Sequence, residues 1–137
     1  MKRTTCILAA MGALFAIPAS ASEEDRDGFY QSMLSCAAFH TIEASKSSGT
    51  AIDAQHALAV EFAEAAVYFA PDGKTETADA DLKAMLDDFQ NKLDTGDPRD
   101  MAEQWTDVES ACSDLYVLKD SLVRVRKEEL AGKKSAN

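Results

Sequence analysis

The chain has 137 residues, with 24 acidic against 14 basic side chains and a formal net charge of −10. That balance excludes nucleic acid as a partner, because phosphate binding needs clustered Lys and Arg, and it permits a basic protein or a cation. Glycine (6) and proline (3) are scarce, alanine is abundant and β-branched runs are missing, a composition that predicts an all-α protein.

Residues 1–21 read as a secretory leader that is cleaved. Lys2 and Arg3 form a positive start, an apolar stretch runs from Cys6 to Ile17, and Pro18 interrupts it. Ala19-Ser20-Ala21 supplies the small residues that a signal peptidase requires, so the cut is placed before Ser22. The apolar run is shorter than the roughly 20 residues that span a bilayer, so no stable membrane insertion is expected once the leader is gone. The compartment this predicts is the periplasm, with outright secretion as the alternative. Removal of Lys2 and Arg3 leaves 12 basic against 24 acidic residues, a net charge of −12. It also removes Cys6. The two remaining cysteines, Cys36 and Cys112, are then expected to pair in an oxidising compartment.

Four helical segments follow in chain order. The first spans about 24–47, with Ser22 and Asp25 as a capping box. Phe29, Met33, Cys36, Ala37, His40 and Ala44 share one face, and Phe39 and Ile42 lie off it. The second spans about 51–70, with Thr50 as N-cap and Asp53 as its capping partner, and Pro71-Asp72-Gly73 stops it. Leu58, Phe62, Ala65 and Phe69 make one apolar face. Ile52, Ala59, Val60, Ala63 and Val67 make another. A helix apolar on two sides is either more buried than its neighbours or in contact with something outside the chain.

The third segment spans about 78–93, with Thr77 as cap and Leu82, Met85, Leu86, Phe89 and Leu93 as an ordinary amphipathic stripe. The fourth starts with Asp97 as N-cap and Pro98 at the first helical position. Its stripe is Met101, Trp105, Val108, Cys112, Leu115 and Leu122, with Lys119 as the polar interruption. Acids dominate its first half and bases its end, as the helix dipole favours. Residues 131–137 are small and polar and are assigned to a disordered tail.

Short connections between these segments predict a single-domain antiparallel up-down-up-down four-helix bundle over residues 22–130. The first and fourth helices then lie side by side, and a Cys36–Cys112 disulfide ties them in register. One turn beyond Cys36, His40 is expected to approach Trp105, Val108 or Glu109.

Chemistry is sparse. There is no Glu-x-x-His pair for a di-iron site, no Cys-x-x-Cys-His for haem and no Gly-x-Ser-x-Gly nucleophile elbow, so neither catalytic residues nor a cofactor are expected. The expected function is that of a non-catalytic module that binds a protein partner or forms a homodimer. Phe39, Ile42, Val60 and Val67 are its expected interaction surface. One alternative is a zinc or copper site on His40 and His56, which sit at similar heights in the first hairpin near Glu43 and Asp53. Another is a small apolar ligand held in the bundle core among Met33, Phe62, Phe89 and Trp105.

Overall fold

A computed structural model describes residues 22–136. The leader assigned to residues 1–21 lies outside the described residues, as does Asn137. Among the described residues there are four helices: α1 (Glu23–Lys46), α2 (Thr50–Val67), α3 (Thr75–Thr95) and α4 (Pro98–Ser135).

The helix ends follow local chemistry. Ser22 and Asp25 close the expected capping box on α1: the Asp25 amide donates to Ser22 Oγ at 3.1 Å, and the Ser22 amide donates to Asp25 Oδ2 at 3.0 Å. The Ser22 hydrogen bonds hold the Asp25 carboxyl below its ordinary pKa. Asp97 caps α4 as expected, accepting from the amides of Arg99 and Asp100.

The other two starts differ from the sequence pattern. Thr50 is already helical, and Gly49, with φ at +61°, is the N-cap of α2 without a side-chain hydrogen bond. The left-handed backbone needed to turn the chain there suits glycine, and it moves the helix start one residue back. In α3 the helix begins at Thr75. Asp72 organises the turn before it, accepting from the Lys74 amide at 3.0 Å and from the Thr77 hydroxyl at 2.7 Å. Thr77 therefore braces the turn from inside the first helical turn instead of capping it.

At the other end of the chain, α4 continues through Ser135, beyond the 130 boundary and into the segment assigned to a disordered tail. Gly132 costs only about 1 kcal/mol relative to alanine in a helix. Ala131, Lys133 and Lys134 are good helix formers, and the two lysines complement the C-terminal dipole.

The cross-helix contacts have a consistent order. Phe29 meets Phe69 while His40 meets Gln55, so α1 and α2 run in opposite directions. Glu43 meets Trp105 while Cys36 meets Cys112, which gives α1 and α4 the same opposed sense. Tyr30 meets Asp81 and Ser35 meets Met85, so α1 and α3 ascend together. These orders are consistent with the up-down-up-down arrangement. The Cys36–Cys112 disulfide joins α1 to α4 with Cα atoms 5.4 Å apart. It encloses 76 residues of sequence separation, worth about 4 kcal/mol in the chain-entropy view.

The core is centred on α1, which packs against all three other helices and most extensively against α2. Its buried residues are Tyr30, Met33, Leu34, Cys36, Ala37, Ala38, Phe39, His40, Ile42 and Ala44, positions that run around the whole helix. Small residues at 36, 37, 38 and 44 let the neighbours approach closely. Only Ala59, Phe62, Ala65 and Ala66 are buried within α2. Of the two readings of a helix apolar on two sides, greater burial than its neighbours does not hold for α2. Beyond the core, α4 is 38 residues long, about 57 Å against about 36 Å for the 24-residue α1, so its basic end projects past the bundle.

Candidate functional site

Phe39 and Ile42, two of the four residues expected on the interaction surface, are only 3% and 6% exposed. The Phe39 ring packs against Trp105 with centroids 4.9 Å apart and against His40 at 5.0 Å. Their removal from the surface follows from the central place of α1: the side left open in a two-helix view is covered by α3 and α4. Glu43 also faces α4 and accepts a hydrogen bond from Trp105 Nε1 at 2.7 Å. Phe39 and Glu43 thus meet Trp105, where His40 was expected. Three and seven residues on from Cys36, they lie about 60° and 20° to one side of its meridian on the helix, while His40 lies about 40° to the other side, against Gln55 and Phe62 of α2.

The histidines are not brought into a metal site. His40 is buried and its ring stacks on Phe62 at 5.7 Å. Its Nδ1 lies 2.6 Å from Gln55 Oε1, a carbonyl oxygen that only accepts, which places a proton on Nδ1. His56 is exposed. Glu43 is engaged by Trp105 and Lys46. Among the described residues, no group of three or more His, Cys, Asp or Glu side chains is arranged to hold a metal ion. Met33 and Phe62, two residues of the expected apolar-ligand site, are fully buried in the packed core, and Trp105 contacts both Phe39 and Phe89.

Val60 and Val67 have a different fate. Together with Ala63 they line a groove of about 620 Å³ between α2 and α4. These two helices both pack on α1 but meet each other over little of their length. Glu61, Glu64, Tyr68, Lys119, Asp120, Val123 and Lys127 continue the lining, and Thr75 and Asp79 of α3 close one side. Val60 is 54% exposed at the rim, and Val67, Ala63 and Val123 are partly buried. Of the second apolar face of α2, Ala59 is therefore buried in the core, while Val60, Ala63 and Val67 open into the groove.

Lys119 forms part of the groove lining and is the residue that sequence reasoning passed over. It is 7% exposed. Its Nζ lies 2.7 Å from Asp120 Oδ1, 3.2 Å from Glu61 Oε2 and 5.4 Å from the centre of the Tyr116 ring. Burial acts to lower the pKa of the ammonium. Hydrogen bonds to Asp120 and Glu61, with their charges, outweigh burial and hold it above the ordinary lysine value. The signal was present: Lys119 falls in the apolar stripe that joins Cys112, Leu115 and Leu122, all buried. A lysine there either buries its charge against carboxylates or reaches to a solvent-filled gap, and in this fold it does both.

A second bridge joins α4 to α2 at Tyr68. Arg126 Nε donates to the carbonyl oxygen of Tyr68 at 3.0 Å, satisfying an acceptor at the C-terminus of α2. Lys127 Nζ sits 4.7 Å from the Tyr68 ring centre. The exposed Val117 belongs elsewhere: at 100° per residue it lies about 160° around α4 from Lys119.

No family model matches the chain, and searches of curated proteins and of solved structures likewise found no match. No described helix is long and apolar enough to cross a membrane.

Proposed function

We propose that this protein is an exported, non-catalytic helical-bundle module that acts by binding a protein partner through the α2–α4 groove. The observation that carries the reading is the apolar wall of Val60, Ala63 and Val67, left open on a fold whose other large apolar residues are mostly covered. Export is supported by the leader pattern at 1–21 and by the Cys36–Cys112 disulfide, a bond that persists in oxidising compartments such as the periplasm. A non-catalytic role is supported by the engagement of the groups best suited to chemistry: both cysteines are bonded to each other, and His40 is held by Gln55 and Phe62.

The test uses the full chain expressed in a bacterium. Mass analysis of the exported product should give a chain beginning at Ser22 with no free thiol. A photo-crosslinking residue at position 60 should then trap a discrete protein adduct that Ala63→Gln abolishes, while the same probe at position 117 should trap none. Equal trapping at both positions, or none at 60, overturns the groove as the binding surface. A retained leader or two free thiols overturns the export.

A further inference from the structure

Resting on the groove as a docking surface, we infer that its occupant is a basic amphipathic helix of a partner protein. Along α2 the lining runs from Val60 to Tyr68 and along α4 from Lys119 to Lys127, about 12 Å or two helical turns on each wall. The apolar positions within it are Val60, Ala63, Ala65, Val67 and Val123, flanked by the Tyr68 ring. A gap between two helices that presents an apolar strip with charged margins is the surface into which a third amphipathic helix lays its apolar face.

The charge of the margins selects the sign of that helix. Four carboxylates, Glu61, Glu64, Asp79 and Asp120, line the groove against two ammonium groups, Lys119 and Lys127. Lys119 is already matched by Glu61 and Asp120, and their trio keeps one net negative charge. Lys127 lies over the Tyr68 ring. Glu64 and Asp79 are exposed and form no ion pair or side-chain hydrogen bond with another described residue. The groove therefore offers unmatched negative charge on its α2 and α3 side. The chain's overall negative charge steers a basic partner towards it. An acidic helix would meet these carboxylates with its own, and the one buried cation it could use is taken.

The experiment is calorimetric titration of the mature, oxidised protein with two synthetic helices of about 18 residues, long enough to hold a helix once docked. Both carry leucine at the i, i+3/i+4 and i+7 positions. One has lysine and the other glutamate on the remaining face. The lysine helix is expected to bind saturably and to weaken as ionic strength rises. Glu64→Lys with Asp79→Lys should weaken it by at least about tenfold, whereas Glu103→Lys with Asp107→Lys, the same charge change on exposed α4 sites outside the groove, should change it by less than about threefold. Equal losses in the two double variants would mean attraction to net charge alone and overturn the inference. Tighter binding of the glutamate helix, abolished by Ala63→Gln, overturns the basic partner but leaves the docking surface standing. A concentration-dependent dimer that excludes the lysine helix assigns the groove to a second copy of the chain. Binding of neither helix, together with no crosslinking from position 60, removes both the inference and the proposed function.

Discussion

The first two helices make an instructive pair. By composition α2 is the more apolar, with aliphatic residues on two faces and a narrow acidic stripe. Yet α1, dotted with Ser, Gln, Thr and Glu, is the helix that the bundle surrounds. The difference lies in what each touches. α1 has a neighbour on three sides, so even the off-face Phe39 and Ile42 are covered. α2 leans on α1 with one face and has little against the other, so Val60 stays at the rim of a groove. Burial here follows position in the assembly and side-chain size more than hydropathy. An apolar face left over after the core is full is where a partner can act.

The contrast can be broken most forcefully at Phe39. Phe39→Ala should cost about 3–5 kcal/mol in urea unfolding, the range for emptying a packed aromatic site. A cost below about 1 kcal/mol would mean that Phe39 is a surface residue after all and that α1 is no more central than α2. Next in size is the tie between α1 and α4. Cys112→Ser should lower stability by about 2–4 kcal/mol while far-ultraviolet circular dichroism retains the helical signal, because the bridge restricts the unfolded chain more than it shapes the helices. Collapse of the helical signal would show that the disulfide, and not packing around α1, organises the bundle. The smallest effect belongs to α2. Val60→Ser should shift stability by no more than about 0.5 kcal/mol, since the side chain already stands half in solvent. A larger loss would mean that the groove wall is part of the core.

Much of the fold was legible from short-range chemistry. The capping box at Ser22 and Asp25, the Asp97-Pro98 start and the apolar stripe of α4 each depend on residues within a few positions of one another, and each is found as read. The cysteine pairing was legible too, because two helices in opposed register place Cys36 and Cys112 at matching heights. The site was legible only in part. Val60 and Val67 were singled out and do line the groove, but Phe39 and Ile42 were grouped with them, since a wheel drawn for one helix cannot tell which of its sides a third and fourth helix will cover. The unbroken apolar run Ala37-Ala38-Phe39 beside Met33-Leu34 was the clue that α1 is buried all round. His40 and His56 share a height in the first hairpin but not an environment, because the rotation of each helix about its own axis is settled by packing.

Sequence alone therefore determined the helical class, the helix count among the described residues and two of the four N-caps, consequences of local backbone preference and 3.6-residue periodicity, and the pairing of the two cysteines, expected from their number. Tertiary structure decided which helix occupies the centre, that Lys119 is buried between Glu61 and Asp120, and that a groove remains between α2 and α4. Those outcomes depend on how side chains from segments distant in the chain fill a shared volume, and no window along a single helix contains that information.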